Sequence, residues 1–232
     1  DIKKQTLCVD FEKLQKYLLK ICRVTKKGSI NKFTNKRIKY LIFVHTYGHS
    51  ENLKKYCKIL YKKFKIKIIE DCAQSFGSRY YKKFCGTFGE VGCFSTHPLK
   101  NFNSMGDGGF ITTNNSKIAK YVSKLRNHGL IDRNKAEFFG YNSRLDNIQA
   151  AILNFRLKNI NKLINKRRKN AKYFINNLNK NYIFCPSEEK GEFNTYQVFV
   201  IQTNKRDKLK KYLLKKGIPT YIHYPIPIHK QQ

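Results

Sequence analysis

An α/β fold built on a mostly parallel sheet is what the sequence predicts, and three observations predict it. Residues 40–44 form a short apolar run that ends at His45. Residues 51–64 then place Leu53, Tyr56, Cys57, Leu60, Tyr61 and Phe64 at helical spacing. A second apolar run over 66–69 follows and ends on Glu70 and Asp71. Two buried strands joined through a helix make a parallel pair with a right-handed crossover. Asp71 therefore stands at the carboxyl end of a strand, where open α/β sheets bind their ligands.

The remaining elements follow in order. Residues 77–109 are rich in glycine and aromatics; within them 91–95 predict a strand, a loop passes through Lys100, and 109–113 predict a further strand. Residues 116–126 read as a helix. A long amphipathic helix is expected over 146–169, through Ile148, Ala151, Ile152, Phe155, Leu157, Ile160 and Leu163, with another over 171–178. After Pro186 the pattern changes to that of a smaller α/β lobe: a strand over 196–201, a helix over 206–215, and a strand over 218–222 beyond the Gly217 stop. Residues 1–39 offer a helix over 11–22 and then a loop rich in Lys and Asn. The expected division is a large domain over 1–145, a connecting helix over 146–170 and a small domain over 171–232.

Composition narrows the function classes. With 232 residues, 41% of them hydrophobic, the chain can bury one good core and a smaller second one. It holds no uninterrupted apolar run near the roughly 20 residues of a membrane helix, and no charged-then-apolar leader, so the cytoplasm is the expected compartment. Its seven cysteines are scattered without a CxxC pair, which predicts reduced, mostly buried thiols and neither a disulfide framework nor a metal site. Forty-eight Lys plus Arg against 15 Asp plus Glu give a formal net charge of +33. Because the lysines run along nearly the whole chain with abundant Asn and Ile, a compositional bias explains them better than a nucleic-acid surface, which would cluster them. The charge still favours anionic ligands.

The chemistry concentrates in two stretches. One is the acidic strand end EDCAQSFGS at 70–78; the other is GCFSTHPLKNFNSMGDGG at 92–109, which sets Lys100 among glycines. Pyridoxal 5'-phosphate (PLP) chemistry needs a carboxylate against the pyridinium nitrogen and a lysine that condenses with the aldehyde and then shuttles a proton. Asp71 and Lys100 suit those two roles. Gly106, Gly108 and Gly109 are expected to permit unusual backbone angles beside the lysine loop, and His97 is read as structural.

Around these stretches the chain resembles the DegT/DnrJ/EryC1/StrS family of sugar aminotransferases. The matching segments are VHTYGH at 44–49, EDCAQSFGS at 70–78, FSTHPLKNFNSMGDGGFITTN at 94–114, LRNHGL at 125–130, GYNSRLDNIQAAIL at 140–153 and KKGIPTYIHYPIPIH at 215–229. Six in family order span almost the whole chain. The resemblance implies PLP-dependent transferase fold type I: a three-layer large domain around a mostly parallel sheet, then a smaller C-terminal α/β domain. It implies that Lys100 forms the Schiff base and acts as general acid and base, and that Asp71 pairs with the pyridinium nitrogen. Gln74 would lie beside the cofactor ring and its phenolic oxygen, and Ser95 would hydrogen-bond the phosphate. Asn142 would reach the phosphate of the partner subunit's cofactor in a homodimer. His229, with His223 and Tyr224, would line the pocket for a nucleotide-linked keto-sugar, the amino donor being glutamate.

Departures from the family bear on these expectations. Family members carry a substantial N-terminal portion before the point where this sequence starts, with a Gly-Thr turn that binds the cofactor phosphate, and the small domain continues beyond residue 232. The sequence is accordingly expected to be part of a longer polypeptide. Three rivals to transamination stand beside it. A sugar C3 dehydratase on the same scaffold carries histidine where Lys100 stands. A catalytically silent PLP-binding homologue would keep the fold without the reaction. A basic nucleic-acid-binding protein would need a recognition motif with interleaved aromatics, and none is present.

Overall fold

The computed structural model describes all 232 residues. Helix α1 (Phe11–Ile21) starts where Asp10 accepts hydrogen bonds from the Glu12 and Lys13 amides. It leads into a small antiparallel sheet, β1 (Cys22–Thr25), β2 (Gly28–Asn31) and β3 (Arg37–Ile38), in a region expected to be loop. The turn between β1 and β2 is Lys26–Lys27, which lacks the usual Asn-Gly signature, so the pattern was invisible in the sequence.

The central sheet follows the expected crossover. Strand β4 (Tyr40–Val44) passes through α2 (Leu53–Phe64) to β5 (Lys67–Asp71), and the two pair in parallel, with Val44 opposite Asp71. The hairpin β6 (Arg79–Tyr80) and β7 (Lys83–Phe84) precedes β8 (Val91–Ser95), which pairs parallel to β5 with Cys93 opposite Asp71. Strand β9 (Gly109–Thr112) closes the order β4-β5-β8-β9 as an antiparallel edge. Burial alternates along the strands with the period of two that a sheet imposes. Phe43, Ile68 and Glu70 face a core built with Phe11, Leu53, Leu60 and Phe64 from α1 and α2. Ile42, Val44, Asp71, Ser95 and Ile111 belong to the opposite face by register.

Helix α3 (Ser116–Leu125), capped by Asn115, follows β9. The long helix expected over 146–169 is two: α4 (Asn147–Leu157) and α5 (Ile160–Asn177), the second absorbing the helix expected over 171–178. The break falls at Asn159, whose backbone leaves the helical region (φ −112°, ψ 3°). Asn is a poor helix former that readily competes for local hydrogen bonds. The backbone stays helical through Asn161, Asn165 and Asn170, so 168–171 is not a boundary. Leu153, Ile160 and Ile164 of these helices pack on Phe102, a second, smaller cluster that also gathers Phe76 and Phe110.

Beyond α5 the structure differs most from expectation. The strands expected over 196–201 and 218–222 do not form; the one strand there is β10 (Glu192–Phe193), paired antiparallel with β6. The backbone of 195–197 is engaged elsewhere, Thr195 N–H with the Gly48 carbonyl and the Tyr196 and Gln197 carbonyls with Arg167. Helix α6 (Arg206–Lys215) lies as expected.

Candidate active site

Three parallel strands end side by side, and the residues at those ends make the site. Asp71 ends β5 and Ser95 ends β8, and register puts both side chains on the face of the sheet that α1 and α2 leave free. Asp71 Oδ1 accepts a hydrogen bond from the Ala73 amide at 3.0 Å, which fixes the carboxylate while Oδ2 keeps its lone pairs for a ligand. Ser95 Oγ accepts from the His97 amide at 3.3 Å and so retains its proton for an anion. The chain then turns, Lys100 N–H donating to the His97 carbonyl at 2.8 Å, and returns along β9. The Lys100 side chain is half-buried, with its amine in no ion pair or hydrogen bond.

Behind Asp71 the sheet is locked by its neighbour of opposite parity. Glu70 is fully buried, and its carboxylate accepts from the amides of Gly86, Phe88 and Gly89, each at 2.7 Å. His45 Nε2 lies 2.9 Å from Glu70 Oε2, while Nδ1 lies 3.0 Å from the His49 carbonyl. Burial works against the Glu70 charge, but the His45 contact and the backbone donors outweigh it, and the carboxyl is held below its ordinary range. His45, Glu70 and Cys72 also come within metal-binding distance of one another. Every Glu70 and His45 acceptor or donor is already engaged, however, and burial pushes the Cys72 thiol up, away from the thiolate a metal needs.

Gln74 is held from the turn after β4. Its Oε1 accepts from the Tyr47 amide at 2.7 Å, leaving the Nε2 donors free. Tyr47 sits in the left-handed region (φ 59°), a conformation costly for an aromatic residue that this contact helps to hold. The Tyr47 hydroxyl donates to the His223 carbonyl, which brings the C-terminal segment to this end of the sheet. The side chains of His223, Tyr224 and His229 are exposed, as is Asn142, whose backbone bridges to Asn127.

The three glycines act differently from expectation. Gly106, Gly108 and Gly109 all lack a positive φ. A Cβ at Gly108 would stand 2.6 Å from Thr96 Oγ1, and one at Gly109 would stand 2.5 Å from the Phe94 carbonyl. They permit close approach of β9 to the end of β8, not an unusual backbone angle.

Sequence reasoning missed several groups around the lysine. Asn101 is 5% exposed, yet neither end of its side-chain amide has a partner. Gln197 hydrogen-bonds the backbone on both sides of Lys100, Met105 N–H donates to Gln149 Oε1 at 2.8 Å, and Arg156 donates to Asn103. The signal for Gln197 was a lone polar residue inside the apolar run YQVFVI.

The layout sets a carboxylate and a hydroxyl on one face at the carboxyl ends of neighbouring parallel strands, with an unpaired lysine amine in the loop that follows. The model of the DegT/DnrJ/EryC1/StrS aminotransferase family matches residues 1–232, and the chain belongs to that family. It is 37% identical over 196 residues to the dTDP-3-amino-3,6-dideoxy-alpha-D-galactopyranose transaminase of Aneurinibacillus thermoaerophilus, covering 84% of this chain and 54% of that one. A DegT DnrJ EryC1 StrS aminotransferase from Brucella abortus superposes with a TM-score of 0.89 at 28% identity, over 100% of this chain and 60% of that one. NtdA of Bacillus subtilis, solved with bound cofactor PMP, does so with 0.83 at 29%, over 100% and 50%. The chain thus spans about half the length of the curated relatives it matches. No helix is long and apolar enough to cross a membrane.

The residues present fit a PLP-type group. Asp71 offers a free carboxylate oxygen, Lys100 an unpaired amine, Ser95 a free hydroxyl proton and Gln74 a free amide. The orphaned Asn101 amide beside the lysine is a buried polar group for which this chain alone supplies no partner.

Proposed function

We propose that the protein to which these residues belong is a PLP-dependent aminotransferase that moves an amino group, from glutamate, onto a nucleotide-linked keto-sugar in amino-sugar or surface-polysaccharide biosynthesis. One observation carries the reading: Asp71 and Ser95 share one face at the carboxyl ends of neighbouring parallel strands, and the next loop presents an unpaired lysine. The family membership and the dTDP-sugar transaminase relative support it. When bound, the cofactor supplies an electron sink for the carbon losing or gaining nitrogen.

The protein's own groups do the rest. The Asp71 carboxylate holds a proton on the ring nitrogen, which an exposed carboxylate could not do as well. Ser95 anchors the phosphate arm, and Gln74 orients the ring through its free amide. Lys100 Nζ would hold the aldehyde as a Schiff base with loss of one water and, once released by the amino donor, would serve as general acid and base for the 1,3-proton shift between the two carbons on either side of the nitrogen. Asn142 completes the partner subunit's site in a homodimer, and His229, His223 and Tyr224 meet the sugar nucleotide. Residues 1–145 form the cofactor domain, 146–170 the connection and 171–232 the small domain, working in the cytoplasm.

The test is the absorbance spectrum with PLP before and after borohydride, for wild type and Lys100→Ala. A band near the visible edge, fixed by borohydride as an adduct on Lys100 and absent from the variant, is expected, followed by turnover of a dTDP- or UDP-linked keto-sugar with glutamate. Neither band nor adduct in the wild type would overturn the reading.

A further inference from the structure

We propose that Gln197 is the positioning residue of Lys100, a clamp by which the second lobe sets where the lysine amine stands. The proposal rests on the function just described. Gln197 Oε1 accepts from the Asn101 amide at 2.6 Å, and its Nε2 donates to the Leu99 carbonyl at 2.6 Å. One side chain therefore brackets Lys100, holding the peptide units before and after it. The loop has other ties, Leu99 N–H donating to His97 Nδ1 and Asn103 Nδ2 to the Pro98 carbonyl, but the two peptide units that flank Lys100 have little else. Lys100 N–H reaches only the His97 carbonyl, the Asn101 side chain has no partner, and Leu99 is exposed. A lysine has four rotatable bonds, so the direction in which its Cα launches the chain decides which carbon the amine can meet.

Gln197 is itself fixed. Arg167 of α5 donates to the carbonyls of Tyr196 and Gln197, at 3.4 and 3.2 Å. Two residues of the same segment are fully buried against the first lobe. Asn194 Oδ1 accepts from Ser50 N–H at 2.8 Å, and Thr195 N–H donates to the Gly48 carbonyl at 3.1 Å. The clamp is thus rigid at its base and bidentate at its tip, the arrangement that a well-oriented reacting group needs.

Gln197→Ala is compared with wild type by two readouts that do not depend on turnover. The first is hydrogen exchange at the Asn101 amide, with β5 amides as the control. The second is the rate at which Lys100, on condensing with PLP, is fixed by borohydride, which delivers hydride to the carbon–nitrogen bond. The variant is expected to exchange at Asn101 about tenfold faster and to form the adduct about tenfold more slowly, with β5 exchange and the melting temperature unchanged. Gln197→Glu, which keeps the acceptor, should keep the Asn101 amide protected. Unchanged exchange at Asn101, or lost protection with an unchanged adduct rate, overturns the proposal. A wild-type chain that gives no adduct while its Asn101 exchange still depends on Gln197 refutes the function above and leaves the clamp established.

Discussion

His49 shows how one side chain ties the turn after β4 to Asn194 through its protonation state. Its Nδ1 accepts from Asn194 Nδ2 at 2.9 Å, so the ring must be neutral at that nitrogen. Burial pushes its pKa down to about 4 from an ordinary 6.5. An imidazole with a depressed pKa contributes stability in full above pH 6.5, because only the unfolded chain gains by protonation below that value. The contribution is lost as pH falls from 6.5 to about 4, by roughly 3 kcal/mol in total. Thermal melts of wild type and His49→Gln between those limits should therefore converge toward the acid end. A gap that stays constant with pH would show that His49 titrates alike in the folded and unfolded chain, without the effect of burial.

At the scale of the element, the turn joining β4 to α2 is the piece on which the site and residues 194–197 meet. Gly48 has φ +93°, and a Cβ there would stand 2.7 Å from Thr195 Oγ1, 3.0 Å from the Gln74 carbonyl and 3.1 Å from Gln197 N. Its own carbonyl takes hydrogen bonds from Ser78 Oγ and Thr195 N–H. Gly48→Ala is expected to cost about 2–3 kcal/mol in denaturant unfolding, from overpacking together with a left-handed backbone. Because Gln74 and Gln197 are both displaced, it should also slow the Lys100 adduct. Ile164→Ala, in the smaller cluster behind Phe102, should lower stability by a similar amount while leaving the adduct rate near wild type.

For the whole molecule the dominant feature is charge. A net +33 on 232 residues makes the compact state repel itself, since nearby acidic partners serve only a few lysines. Raising NaCl from ~20 mM to ~300 mM shortens the screening length to a few residues and should raise Tm by several degrees. A fall in Tm with salt would mean that ion pairs such as Arg168 with Glu188 outweigh the repulsion. The sheet adds a second global trait. Parallel sheets in α/β proteins are covered on both faces, yet Ile42 and Ile111 are 62% and 47% exposed on the face that carries Asp71.

By itself the sequence determined the strand-helix-strand unit, the placement of Asp71, Ser95 and Lys100, and the family, because period-two and helical patterning act over a few residues and motifs are contiguous. It could not reveal what depends on partners distant in the chain. Glu70 reads as a twin of Asp71, and only burial beside His45 and three amides makes it structural. Residues 196–201 read as a strand because an isolated apolar run favours one, but Thr195 N–H is taken by the Gly48 carbonyl and the Tyr196 and Gln197 carbonyls by Arg167, partners distant in the chain. The grip of Gln197 on Lys100 spans 97 positions, a separation at which composition and periodicity carry no signal and folding alone brings the groups together.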